Sequence, residues 1–224
     1  MKVTTGLASL DKLTEGGFPS NTVVLLSGGP GTGKTLLGLN FLLEGASKGE
    51  KCYYLSVSEK KDELIRACEQ VESLKKLKEY VGKNLIIEHV ILGEKINLDY
   101  FTKVFGEYPN FDRIVIDNVN KLLIFAENSK DYRIRLAEMF RYLRDKVKCS
   151  LVLCEAKTSD DIDTGNGEAF DADGVLHVSF LDLEEKPTRV LEINKMRYTS
   201  FEPRVRHELI ISDKTIKLSQ TKVM

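Results

Sequence analysis

The chain has 224 residues, of which 42% are apolar, enough to bury a core without metal or disulfide support. Thirty-three basic residues against 34 acidic ones leave a net charge of −1, which argues against a surface devoted to neutralising nucleic-acid phosphates. The opening MKVTTGLASL lacks the apolar core of a signal peptide, and no run of about 18 apolar residues could span a bilayer, so a cytoplasmic protein with no membrane partner is expected.

In chain order, the apolar β-rich run Thr22–Ser27 is followed by a glycine loop and a helical pattern from Lys34 to about Gly45. A strand at Cys52–Val57 leads into a charged amphipathic stretch, Lys60–Glu79. Leu85–Val90 is the next strand, with a short helix near Leu98–Phe105, then a strand at Arg113–Asp117. A helix from about Asp131 to Val147 precedes the strand Leu151–Cys154. The segment Ser159–Glu168 is polar, acidic and glycine-containing, and reads as a mobile, solvated loop. Beyond Gly174 the pattern changes to strands without helices between them: Val175–Phe180, Arg189–Met196, Glu208–Ile211 and Thr215–Leu218, with a hairpin turn around Ser212-Asp213-Lys214. Alternation followed by a run of strands predicts an α/β fold with a mainly parallel central sheet, helices on both faces and antiparallel strands added at the C-terminal end. No internal repeat is visible, so a single domain over residues 1–224 is expected. Cys52, Cys68, Cys149 and Cys154 form no C-x-x-C pair, and His89, His177 and His207 are far apart, so the spacing carries no zinc signature.

Residues 28–35 spell Gly-Gly-Pro-Gly-Thr-Gly-Lys-Thr, a full match to G-x-x-x-x-G-K-[ST] with a hydrophobic strand before it and a helix after it. The glycines let backbone N–H groups converge on phosphates, Lys34 can reach the β- and γ-phosphates, and the Thr35 hydroxyl can ligate Mg²⁺. Gly28, Gly29, Pro30, Gly31, Thr32, Gly33, Lys34, Thr35 and Leu36 are therefore the expected nucleotide-binding residues. Arg113-Ile-Val-Ile-Asp117 is an apolar strand ending in an acid, the pattern of a Walker B strand, and Asp117 is the expected metal-side carboxylate beside Thr35. Asp112 sits at the wrong end of that strand. Strand candidates lie between Lys34 and Asp117, as in P-loop ATPases with a strand inserted between the two motif strands. Asn194-Lys195-Met196-Arg197 comes nearest to an N-K-x-D guanine motif and lacks its acid, so ATP is favoured over GTP.

Taken together, these segments resemble the KaiC-like branch of the RecA superfamily of P-loop NTPases. The resemblance runs from TTGLASLDKLTEGGFPSNTVVLLSGGPGTGKT through YYLSVSEKKDEL, IVIDNV, LVLCEA and FDADGVLHV to LEINKMRYTSFEPRVRHELIIS, nearly the whole chain. It implies a RecA-like fold, ATP and Mg²⁺ as ligands, and a homo-oligomer, commonly a hexameric ring, acting on an unidentified protein partner. Family members carry two adjacent glutamates after the second strand, one of which activates the attacking water. Here the pair is Ser58-Glu59, which leaves Glu59 as the expected base. Lys195 and Arg197 alternate around Met196 and face one side of a strand, and the resemblance implies that they reach the γ-phosphate bound by a neighbouring subunit. Glu155 falls where the family has a polar or acidic residue near the site, Asn118 where many relatives have serine, and Tyr198 where glycine is common.

Two alternatives remain beside an ATP-hydrolysing oligomeric switch. A recombinase-like accessory protein would bind single-stranded DNA, but its channel loop would be Ser159–Glu168, which carries Asp160, Asp161, Asp163 and Glu168 and no Lys or Arg. A non-hydrolysing ATP-bound scaffold is suggested by Ser58.

Overall fold

The apolar runs need cover on both sides. In β3 (Thr22–Gly28) Val24 and Leu26 face one way, Val23 and Leu25 the other, and every residue is buried. The computed structural model of the chain describes residues 1–90, 98–107, 110–158, 161–183 and 186–223. One face of its central sheet packs against α1 (Ala8–Leu13), α2 (Lys34–Ser47), α3 (Lys61–Glu69) and a 3-10 helix over Glu72–Glu79. The other face packs against α4 (Leu98–Glu107), α5 (Ser129–Lys146) and the short α6 (Glu168–Asp171).

The remaining strands of this sheet are β4 (Cys52–Ser56), β5 (Leu85–His89), β6 (Arg113–Asp117), β7 (Cys149–Glu155), β8 (Gly174–Leu183), β9 (Lys186–Met196), β10 (Arg206–Ile211) and β11 (Ile216–Val223). They run in the order β11-β10-β9-β8-β3-β7-β6-β4-β5. From β8 to β5 the pairings are parallel; from β8 through β9 and β10 to β11 they are antiparallel. This is the mainly parallel sheet with late antiparallel additions that the alternation predicts. The strand inserted between the two motif strands, β3 and β6, is β7, which follows both in sequence. A separate small antiparallel pair joins β1 (Lys2–Val3) to β2 (Phe18–Pro19).

Several details depart from the sequence reading. The stretch 60–79 is two helices: α3 stops at Glu69, Val71 is buried in extended backbone, and the N–H groups of Glu72 and Ser73 donate to the Asp213 and Lys214 carbonyls in the β10–β11 turn at 2.7 and 3.1 Å. A tertiary contact thus breaks a helix that local periodicity would continue. β1, β2, α1, α6 and a 3-10 turn over Val119–Phe125 are too short for a period to register. Nor is the segment before α6 simply a solvated loop. Glu168 is fully buried and accepts from the hydroxyls of Tyr132, at 2.7 Å, and Thr164, while Asp163 accepts from the N–H groups of Gly165 and Ala169 at 2.8 and 3.1 Å. Ser159 and Asp160 lie outside the described residues. All four cysteines are buried free thiols, and burial pushes Cys52, Cys68 and Cys149 up to about 12, away from thiolate chemistry. Among the described residues no helix is long and apolar enough to cross a membrane.

Candidate nucleotide site at the ends of β3 and β6

The residues 28–36 form one strand–loop–helix turn, from the last residue of β3 into α2. Its close packing explains two of its glycines. A Cβ on Gly28, at φ +154°, would sit 2.2 Å from the Val178 carbonyl oxygen, and one on Gly33, at φ +95°, would sit 2.3 Å from Ile211 Cδ1. The loop is closed from within. Lys34 Nζ donates to the Gly28 and Gly29 carbonyls, both at 2.8 Å, and Thr32 Oγ1 donates to Gly29 at 2.8 Å. Burial lowers the Lys34 ammonium below its ordinary value, against the pull of the Glu155 and Asp117 carboxylates. A desolvated cation at the N-terminal end of a 14-residue helix is an anion-binding arrangement.

Asp117 ends β6 on the same face as Val115, toward α2, because side chains alternate along a strand. Its Oδ2 accepts from Thr35 Oγ1 at 2.8 Å and from the Tyr54 hydroxyl at 2.6 Å. Tyr54 lies opposite Val115 in the β4–β6 register, hence diagonal to Asp117. The hydroxyl of Thr35 and the carboxylate of Asp117 are hard oxygen donors, the set that suits Mg²⁺. The peptide between Asp117 and Asn118 is cis, and the buried Asn118 Oδ1 finds no partner among the described residues.

Glu59 follows β4 on a turn that Ser56 builds: Ser56 Oγ donates to the Glu59 carbonyl at 2.6 Å and accepts from the Glu59 N–H at 3.0 Å. The Glu59 side chain is exposed, yet partial loss of hydration raises its carboxyl above the ordinary value, and the charges of Asp117 and Glu63 add to this. Ser58 beside it is exposed. Glu155 ends β7, and the Asn120 side chain grips its backbone, accepting from the N–H at 2.7 Å and donating to the carbonyl at 2.9 Å.

Lys195 and Arg197 share one face, as the alternation predicts, and stand away from this chain's own cradle. Lys195 pairs with Val175, whereas Gly28 is level with Val178, three residues or about 10 Å further along β8. Their face is that of α6, opposite α2: Lys195 Nζ donates to the carbonyls of Ala169, Phe170 and Ala172 at 3.0, 2.9 and 2.6 Å. Arg197 pairs with Asp173 at 3.2 Å. Phe170 and Tyr198 beside them are each 77% exposed. Tyr198 has φ +61°, a left-handed backbone that glycine adopts without strain.

Two neighbours of the cradle escape the sequence reading. In the sequence Tyr54 is only a strand residue, though a tyrosine in a buried run must find a partner for its hydroxyl. Arg189 is there only the start of a strand. Its Nη2 donates to the Gly31 carbonyl at 3.4 Å, its guanidinium lies 5.0 Å over the Phe180 ring, and its buried Nε has no partner among the described residues.

Known proteins resemble this chain in sequence and in fold. The UPF0273 protein PH0284 of Pyrococcus horikoshii is 27% identical over 239 residues, covering 100% of this chain and 96% of its own length. The circadian clock protein KaiC2 of Synechocystis is 28% identical over 214 residues, covering 88% of this chain and 36% of that protein. Among solved structures, a KaiC-like protein from Pyrococcus horikoshii superposes with a TM-score of 0.80 at 25% identity, covering 97% of this chain and 98% of its own. The family described as "ATPase: KaiC" matches residues 3–223, so the chain belongs to the KaiC family of ATPases.

Proposed function

We propose that this protein hydrolyses Mg-ATP at sites shared between adjacent copies of a homo-oligomer, a ring of six by resemblance to its family, and that the nucleotide state switches its affinity for a protein partner. The observation that carries this reading is the separation within one chain of a well-formed phosphate cradle from the Lys195–Arg197 pair, which lies on the opposite face of the sheet. Cations so placed cannot serve their own cradle, but an adjacent copy could present them to it.

In this reading the backbone of Gly28–Gly33 and the Lys34 ammonium bind the phosphates, and α2 begins beneath them. Thr35 and Asp117 are the residues that would hold Mg²⁺, which when bound would supply positive charge to the phosphates. Glu59 accepts a proton from a water whose oxygen bonds to the γ-phosphorus as the bond to the β–γ bridging oxygen breaks, giving ADP and phosphate. Lys195 and Arg197 of the adjacent copy stabilise the charge spread over the transferring group. To do so they exchange their bonds to α6 and Asp173 for bonds to phosphate. That exchange couples nucleotide state to the shape of the assembly.

The test is Mg²⁺-dependent ATP turnover by wild type, Glu59→Gln and Lys34→Ala, with nucleotide binding measured in parallel. Turnover lost in Glu59→Gln with binding retained is the expected result. Turnover unaffected by Glu59→Gln would move the base elsewhere. Exposed Ser58, in place of a second glutamate, favours one further reading, an ATP-bound scaffold. Wild type that binds ATP without turning it over would establish it.

A further inference from the structure

The reaction just described gives Tyr54 no task, yet this side chain is fully buried and its hydroxyl ends on the metal-side carboxylate. We propose that Tyr54 is a positioning residue for the divalent cation: it fixes the Asp117 carboxylate in the orientation in which Asp117 and Thr35 together receive the metal. This inference rests on the nucleotide-site reading above.

Three features carry it. The first is convergence: the Tyr54 and Thr35 hydroxyls both donate to Oδ2 of Asp117, at 2.6 and 2.8 Å. Among the described residues no hydrogen bond reaches Oδ1, so one carboxylate oxygen is anchored twice and the other is left without a protein donor. The second is rigidity. Register places Tyr54 opposite Val115, and α2 lies directly on its ring. A Cβ on Gly38 would meet Val115 Cγ1 at 3.0 Å and Tyr54 Cε2 at 3.6 Å. Clamped between sheet and helix, the phenol has little room to turn away. The third is chemistry. A hydroxyl-to-carboxylate bond in a buried setting is charge-assisted and directional. Groups that orient a metal-binding residue commonly change metal affinity by about 10-fold or more when removed. Tyr54 also keeps Asp117 from depending on Thr35 alone, whose oxygen must turn toward the metal when one binds.

Tyr53 provides an internal control one residue away. It is equally buried, but it points to the other face of the sheet and bonds to Glu88 at 2.6 Å and Tyr100 at 3.0 Å, away from the cradle. Removing either hydroxyl costs hydrogen bonding on the same strand; only that of Tyr54 reaches Asp117.

The experiment titrates Mn²⁺ by electron paramagnetic resonance into the full chain saturated with a non-hydrolysable ATP analogue. Wild type, Tyr54→Phe, Tyr54→Met and Tyr53→Phe are compared, with melting temperature and metal-free analogue affinity measured for each. Both Tyr54 variants should bind Mn²⁺ about 10-fold more weakly, by the same factor although their melting temperatures differ, with metal-free analogue affinity unchanged. Tyr53→Phe should melt earlier and bind Mn²⁺ like wild type. Wild-type Mn²⁺ affinity in Tyr54→Phe, or losses that follow melting temperature across all three variants, would overturn the proposal. Wild type that binds the analogue but takes up no Mn²⁺ with it would overturn the metal-site reading itself, and the proposal with it.

Discussion

Two carboxylates, Asp117 and Glu59, act on each other electrostatically, and their surroundings separate them. Asp117 accepts two hydroxyl hydrogen bonds on one oxygen and is thereby fixed in orientation. Glu59 is raised above the ordinary glutamate value of 4.5 by lost hydration and by the charges of Asp117 and Glu63, as would suit the proposed base. A base works only when ionised, so the acid limb of the turnover–pH profile should lie above 4.5, and Asp117→Asn should shift Glu59 downward by removing a repelling charge. The nucleotide-bound chain can be followed through that range by carboxyl NMR of Glu59, which reads the shift even where turnover is lost. Lys34→Ala removes the desolvated ammonium proposed to bind the phosphates; nucleotide affinity should fall by about 30-fold, the equivalent of about 2 kcal/mol for a charged hydrogen bond, measured by calorimetry. Lys34, Thr35 and Asp117 were legible in the sequence because motif spacing ties them to one loop and one strand end. Tyr54 and Arg189 were not. Nothing local relates them to the loop; only the pairing of β4 with β6 and the return of β9 past α2 bring them there.

Among the elements, the entry into β6 is secured by one buried cation. Arg113 is 1% exposed, pairs with Glu50, donates to the carbonyls of Thr4 and Phe41 at 2.6 and 2.9 Å and lies over the Phe41 ring. It thereby ties β6, α2 and the N-terminal segment together. Gly45 makes the room: a Cβ there would fall 2.4 Å from Arg113 Nε and 2.8 Å from Glu50 Oε2. Arg113→Ala should cost about 3–5 kcal/mol in urea unfolding at neutral pH, since it breaks a buried network and leaves Glu50 with fewer partners. The sign of the pH dependence follows from Glu50. Burial works against its ionisation, but Arg113 and Lys148 outweigh burial and hold its carboxyl below 4.5. A lowered folded-state value contributes stability that is complete above the unfolded value and is lost as pH falls through the folded one. The gap between wild type and Arg113→Ala should therefore narrow below pH 4.5. Long elements were legible here because each buries a periodic face. The break at Gln70–Val71 was not, since the β10–β11 turn that causes it lies far away in sequence.

At the scale of the whole molecule, the alternation of Lys195 and Arg197 was legible in the sequence, but not the face or the level of the sheet they occupy. Those follow from β9 running antiparallel to β8 and from α6 returning beneath it. The result is a chain with a phosphate cradle toward one face and free-standing aromatic surface, Phe170 and Tyr198, around two cations on the other. If adjacent copies complete each other's sites, the two halves can be inactivated in different chains. A Glu59→Gln chain keeps its cations and lacks the base; a Lys195→Ala/Arg197→Ala chain keeps the base and lacks the cations. Each alone should fail to turn over ATP. Mixed in equal amounts and allowed to exchange subunits, they should regain about one quarter of wild-type turnover, because random head-to-tail assembly brings an intact cradle against intact cations at that fraction of interfaces. Sites complete within a single chain would recover nothing on mixing. The titration of one inactive protein into the other, read as phosphate release, therefore separates a shared site from a solitary one whatever the number of subunits in the ring.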